Sequence, residues 1–256
     1  MPLETFEAVA AQVRPLAGMI SLHVLGEPFM HPRFPEILGA CSRLGLSVNL
    51  VTNGTLLDKF GPAVFKEKCL VQVSFSLRAL AALPSGTRLE HLRRLTEFAA
   101  LKPDRLIAGF RLRGGADDPF VKEASDFVLK AFPGHTARAE HSGAVTLRDK
   151  VYLNFGELFD WPGQGPGNNK QSCLGLRHHF AVLSNGEVVP CCADYDGRLS
   201  VGNINEKPLA EILNAPAVLI LRDSIAGHTP MPPYCAGCGF SAPERLKAED
   251  IRDISV

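Results

Sequence analysis

The chain has no excess of either charge: 27 Lys and Arg are balanced by 27 Asp and Glu over 256 residues. Without a basic field there is no electrostatic case for nucleic acid or for an anionic membrane surface. Apolar runs are short, none approaching the roughly 18 residues that would span a bilayer. The opening stretch, Met1 to Gln12, contains Glu4 and Glu7 and lacks the basic and apolar regions of a secretion signal. The expectation is therefore a cytoplasmic protein that works on neither nucleic acid nor membrane. A P-loop, an H-E-x-x-H helix and a Ser–His–Asp arrangement are all missing. Gly114-Gly115 is no G-x-G-x-x-G fingerprint and reads as a turn. No internal repeat or low-complexity tract is present.

What the chain does have is cysteine in an unusual distribution. Seven is an odd number for a disulfide framework, and a chain of this length needs no staples. Five of the seven lie at Cys173, Cys191, Cys192, Cys235 and Cys238. Cys173 precedes a hairpin signal, Ser184-Asn185-Gly186, and Cys191 follows it. Cys235 and Cys238 form a C-x-x-C knuckle beyond Pro230, Pro232 and Pro233. Four thiolates from separate backbone approaches can close a tetrahedral zinc or an iron–sulfur site. Spacing alone leaves both metals open. Cys192 adjoins Cys191 and is expected to face the other way. Cys41, on an apolar helical face, and Cys69, at a helix-to-strand junction, read as core residues.

The first half alternates between two periodicities. Apolar residues at helical spacing mark Phe6–Val13, Phe34–Leu44, Leu89–Phe98 and Phe120–Val128, and a further helix is expected around Asp58–Lys68. Strand-like runs fall at Met19–Leu25, Val48–Thr52, Val71–Leu77, Arg105–Leu112 and, more weakly, Thr136–Glu140. This order predicts an α/β fold of parallel strands joined by right-handed crossovers, with its site at the strands' carboxyl ends. Near residue 155 the texture changes to a Gly- and Pro-rich linker around Trp161–Asn169. Trp161 is expected to pack across the two halves. Asp117-Asp118-Pro119 reads as a helix start, and His31, His178 and His179 as loop or cluster-flanking histidines.

Taken together, these residues resemble a radical SAM protein with a C-terminal SPASM/twitch-type domain. The pattern Cys173–Gly186–Cys191, Gly202-Asn203-Ile204 and Cys235-Ala236-Gly237-Cys238-Gly239 carries the SPASM likeness. It implies one auxiliary [4Fe–4S] cluster on Cys173, Cys191, Cys235 and Cys238. Gly26-Glu27-Pro28 after a strand is similar to the family's G-G-E-P element, which receives the amino group of S-adenosylmethionine. Thr52-Asn53-Gly54 is similar to its T-N-G. By the same resemblance Ser74 and Ser76 contact the cofactor. The implied fold is a partial radical SAM barrel missing its first strand over residues 1–155, then an iron–sulfur domain over 156–256.

One departure is large. The family's C-x-x-x-C-x-x-C, whose cluster cleaves S-adenosylmethionine, has no counterpart in these residues. The expectation is a truncated member that keeps the auxiliary cluster and the remnants of the cofactor cleft. The missing segment would be encoded upstream, through a start codon called too late or a split gene, or be lost in a decayed copy, and the strand at Met19–Leu25 would be left as an exposed edge. Complete relatives would modify a peptide or another small molecule. The other readings are a Cys₄ zinc-binding structural module, or an electron-transfer or partner-binding protein.

Overall fold

Which face of each element is apolar decides where the layers go. A computed structural model describes residues 1–136, 144–164 and 172–240. These fall into two units, Pro2–Leu158 and a second beginning at Phe159.

In the first unit, α1 (Leu3–Val13) leads to β1 (Met19–Leu22), α2 (Phe34–Leu44), β2 (Ser47–Thr52) and β3 (Leu70–Ser76). Then come α3 (Ser85–Leu101), β4 (Ile107–Arg113), α4 (Pro119–Ala131), β5 (Ala144–Arg148) and β6 (Val151–Gly156). Helix α2 buries Phe34, Ile37, Leu38 and Cys41. It stops at Gly45, whose left-handed backbone lets its N–H reach Cys41 and Ser42 carbonyls. The strands form one sheet in the order β1-β2-β3-β4-β6-β5. Strands β1 to β4 and β6 are parallel, whereas β5 runs antiparallel to β6.

The two faces of this sheet differ in chemistry. On one, Val48, Leu50, Val73, Phe75, Ala108, Phe110, Val151 and Leu153 are fully buried, in one core with Leu38, Leu92, Leu95 and Val128 of the helices. Because side chains alternate along a strand, the opposite face carries Ser21, Asn49, Gln72, Ser74, Gly109, Arg111, Tyr152 and Asn154. This is an α/β sheet, mostly parallel, with its apolar core on one side and polar residues on the other.

Three local expectations need correction. No helix forms over Asp58–Lys68. Gly61 adopts a left-handed φ of 70°, and Pro62 opens only a short 3₁₀ turn to Lys66. Parallel pairing does not include β5, because Asp149 and Lys150 turn the chain back and make β5–β6 a hairpin, while β6 itself pairs parallel with β4. The alternation Val145, Leu147, Val151, Leu153 was the available signal. The strand expected at Thr136–Glu140 lies, except for Thr136, outside the described residues.

The second unit is built from short pieces. Strands β7 (Ala181–Val182), β8 (Glu187–Val189) and β9 (Gly202–Asn203) form a small antiparallel sheet, followed by α5 (Leu209–Leu213), α6 (Pro216–Ala226) and α7 (Pro233–Ala236). Trp161 stacks edge-on against Tyr195 and contacts Phe159, so its ring partners lie within this unit.

Two ion pairs tie α4 to the elements after β3. Arg78 pairs with Asp118, and Arg88 with Glu123. Asp118 also caps α4 by accepting from the Phe120 N–H at 2.9 Å, the helix-start role expected of it. The Arg78 guanidinium, and then the Phe120 N–H, hold the Asp118 carboxyl below its ordinary range. A carboxylate with a depressed pKa stabilises the fold above its unfolded value of about 4 and loses that contribution as pH falls through the folded one. Asp118→Asn should therefore lower stability at neutral pH and flatten its loss below about pH 4. Urea unfolding between pH 2 and 7 measures this.

Candidate iron–sulfur and cofactor sites

In the second unit the hairpin turn sets the geometry. Gly186 has a φ of 89°, and a Cβ there would sit 2.3 Å from Asn205 Nδ2 and 2.7 Å from Asn203 Oδ1. Only glycine fits. The two asparagines donate to the Asn185 carbonyl at 3.2 and 3.1 Å, and Ile204 N–H donates to the Gly186 carbonyl at 2.9 Å. The Gly202-Asn203-Ile204 element thus clamps the turn between Cys173 and Cys191.

Three segments then bring thiols together. Cys173 is fixed by its N–H donating to the Ile225 carbonyl of α6 at 2.8 Å. Cys191 follows β8 through Pro190, whose carbonyl accepts from Leu176 N–H. A Cβ on Gly175 would lie 3.1 Å from that carbonyl, so this approach is also tight. In the knuckle, Cys238 N–H donates to the Cys235 carbonyl at 3.0 Å. Cys173, Cys191, Cys235 and Cys238 all line one cavity, with Asp194, Tyr234, Leu199 and Ile225. Cys192 is not among the lining residues.

The surroundings of Cys191 are apolar enough to raise its pKa. Burial pushes Cys191 up to about 11, opposed by the Ala193 and Asp194 backbone N–H groups that face its sulfur. Those donors, and the burial, suit a thiolate whose charge is shared with a metal. Among the described residues no three His, Cys, Asp or Glu side chains gather closely enough for a single metal ion. The thiols share a cavity wall rather than a point. His179 is exposed, and its pKa is lowered by desolvation of its ring and then by His178.

Sequence reasoning missed Asp194 and Tyr234. Asp194 is 2% exposed, and its carboxylate accepts from Arg198 and Leu199 N–H groups, both at 2.9 Å. It folds the loop after Cys191 back on itself. Tyr234 donates to Asp196 at 2.9 Å. Neither residue has a periodic signal, because each is placed by a loop.

The first unit gathers the other expected residues at the ends of β1 and β2. Val24 has a φ of 109°, uncommon for a β-branched residue, and Gly26 one of 85°. This strained turn delivers Glu27, which is buried rather than solvated. Glu27 Oε1 accepts from Thr52 Oγ1 at 2.7 Å and from Phe29 N–H at 3.1 Å. Its Oε2 accepts from Asn53 N–H at 2.8 Å. Thr52 Oγ1 accepts in turn from Gly54 N–H, while Asn53 Oδ1 accepts from Thr55. Gly26-Glu27-Pro28 and Thr52-Asn53 are therefore one hydrogen-bonded unit. Ser74, on β3, donates to Asn49 Oδ1 at 3.1 Å and accepts from Gln72 at 3.0 Å. Ser76 ends β3 on the same polar face. His31 caps its own turn, its Nδ1 accepting from Arg33 N–H.

A mostly parallel α/β sheet with a separate cysteine-lined unit defines a class, and comparison with known proteins narrows it. Residues 173–239 match the SPASM family, described as an iron–sulfur cluster-binding domain. The fold is similar to that of BtrN in complex with AdoMet and 2-DOIA, with a TM-score of 0.56 and 18% identity. That match covers 98% of this chain and 85% of BtrN. It is also similar to Streptococcus suis SuiB bound to precursor peptide SuiA, with a TM-score of 0.57 and 17% identity, over 93% of this chain and 63% of SuiB. No curated protein matches the chain in sequence. Residues 173–239 match the SPASM iron–sulfur domain model, and the chain shares its fold with BtrN and SuiB.

Removing the Glu27 carboxylate would strand the Thr52 hydroxyl and two backbone N–H groups, each costing about 1–3 kcal/mol. Glu27→Ala should lower stability by about 2–4 kcal/mol, with partial relaxation of the loops offsetting the rest. Chemical denaturation at pH 7 checks this.

Proposed function

We propose that this chain is an iron–sulfur protein that holds one auxiliary [4Fe–4S] cluster on Cys173, Cys191, Cys235 and Cys238. The observation that carries the reading is that these four cysteines, and neither Cys192 nor the core pair Cys41 and Cys69, line one cavity. The SPASM match over the same residues supports it. A single zinc ion needs its sulfurs within about 3.8 Å of one another, given Zn–S bonds of about 2.3 Å in a tetrahedron. Thiols spread around a cavity suit a larger body. When bound, such a cluster supplies one-electron chemistry or a site for a substrate heteroatom. The protein's part is to supply four thiolates, to point the Ala193 and Asp194 N–H groups at Cys191, and to exclude water with Ile225 and Leu199.

The second layer concerns S-adenosylmethionine. In this reading Gly26, Glu27, Pro28, Thr52, Asn53, Ser74 and Ser76 line its cleft. The strained turn at Val24–Gly26 would present backbone to the cofactor's amino group, while Glu27 holds the two strand ends in register. The AdoMet complex of BtrN, on the same fold, supports this assignment. A peptide is one substrate class consistent with the fold, given the precursor peptide bound by SuiB; a small molecule is the other. These 256 residues contain no C-x-x-x-C-x-x-C. By themselves they have no three-thiolate site for a cofactor-cleaving cluster, and the chain alone acts as a cluster carrier.

Anaerobic purification with metal and sulfide analysis tests the first layer. About four iron and four sulfide per chain, with a broad band near about 400 nm, are expected. Alanine at any of the four cysteines should lower both contents, whereas Cys192→Ala should leave them unchanged. A colourless protein with one zinc per chain would refute the cluster. For the second layer, reductant and S-adenosylmethionine should yield no 5′-deoxyadenosine above a cluster-free control. Sustained turnover would contradict it.

A further inference from the structure

The polar face of the sheet carries a charge that meets no carboxylate among the described residues. Arg111 and Arg113 lie two residues apart on β4, so both point to that face. The other residues of β1 to β4 and β6 on that face are uncharged: Met19, Ser21, Ser47, Asn49, Val51, Gln72, Ser74, Ser76, Ile107, Gly109, Tyr152, Asn154 and Gly156. Both residues are half-buried. Among the described residues neither forms an ion pair, in contrast to Arg78, Arg88 and Arg93, each of which meets a carboxylate.

The neighbours of the pair form a receptive floor. In register, Arg111 stands between Ser76 of β3 and Asn154 of β6. One pleat below it is Gly109, flanked by Ser74 and Tyr152. A Cβ on Gly109 would lie 3.6 Å from Asn154 Nδ2 and 4.0 Å from Ser74 Oγ. Glycine in a central strand weakens it and marks a place of close approach; here it opens a hollow walled by an amide and a hydroxyl. Arg113 is anchored, its Nη1 donating to the Leu112 and Asn154 carbonyls at 3.3 and 3.2 Å. Its pKa is lowered by burial and then by Arg111. Two like charges held together at partial burial are relieved by an anion.

We infer that Arg111, backed by Arg113 and framed by Ser76 and Asn154, binds the carboxylate or phosphate of a ligand lying on the polar sheet face. Arg111 is the recognising residue, since it is free of intramolecular partners among the described residues. Arg113 sets the local potential. This deepens the cofactor-cleft reading, on which it rests, by assigning an anionic group to the ligand. That group belongs either to the substrate or to the amino-acid end of S-adenosylmethionine.

The test is calorimetric titration of the full anaerobically purified chain with inorganic phosphate and with S-adenosylhomocysteine. Wild type, Arg111→Gln, Arg111→Lys and, as a control on the exposed side of α2 where it pairs with Glu7, Arg43→Gln are compared, with circular dichroism showing that each is folded. Wild type should bind at least one probe. Arg111→Gln should weaken that binding about tenfold or more, the worth of a charge-assisted contact. Arg111→Lys should keep part of it, and Arg43→Gln should match wild type. Loss of both probes in Arg111→Gln assigns the anion to the cofactor. Loss of phosphate with S-adenosylhomocysteine retained assigns it to the substrate. Undiminished binding in Arg111→Gln, or no binding of either probe by wild type, overturns the proposal. Iron content measured on the same samples judges the cluster reading separately.

Discussion

Four sulfurs must reach one cavity from three backbone segments, and most of the second unit is explained by that requirement. Gly186 turns the hairpin so that Cys173 and Cys191 stand at its base. Asn203 and Asn205 lock the turn, and Asp194 folds the following loop so that two N–H groups face Cys191. A unit with strands of two or three residues buries little apolar surface. Among its described residues the fully or nearly buried apolar side chains are few, Val188, Val189, Leu209, Ile212, Val218 and Ile225 chief among them. The main core cluster includes none of them. Small units of this kind take much of their folding free energy from a bound metal centre. On that view the proposed cluster would be as much a structural element as a redox one.

The first unit meets a different demand. Its sheet packs a helix-covered apolar face and leaves the other polar. The apolar face explains the helical stripes and the buried runs of Val, Leu and Phe. The polar face explains why Asn49, Ser74 and Arg111 occur in strands that otherwise read as core. Glu27 connects the two levels. Buried with three donors on one carboxylate, it holds the ends of β1 and β2 at fixed separation. A cleft at the strands' carboxyl ends depends on that spacing before any ligand arrives.

How much of this was readable in advance depended on whether the residues obey a period. The helices at Leu3, Phe34 and Pro119 and the strands at Met19, Val48 and Val71 were visible because burial repeats every 3.6 or 2 residues. Asp118 was recognised because a helix cap has its own chemistry. The apolar residues of Asp58–Lys68 suggested a helix, but Gly61-Pro62 overrode them locally. The β5–β6 hairpin was missed because its turn, Asp149-Lys150, is not a strong turn signal, and Lys150 adopts a φ of 54° without being glycine. The cysteine set was legible from spacing, since thiols are rare and ligand knuckles recur. Asp194, Tyr234 and the bare charge of Arg111 were not, because loop return and sheet register bring them into place.

Iron-edge X-ray absorption of the anaerobically reconstituted chain addresses the central claim most directly. The account predicts iron coordinated by sulfur alone, with the iron–iron scattering of a cubane, and the loss of both signals when Cys173, Cys191, Cys235 and Cys238 are replaced together. Absorption at the zinc edge with four sulfur neighbours and no bound iron would contradict it.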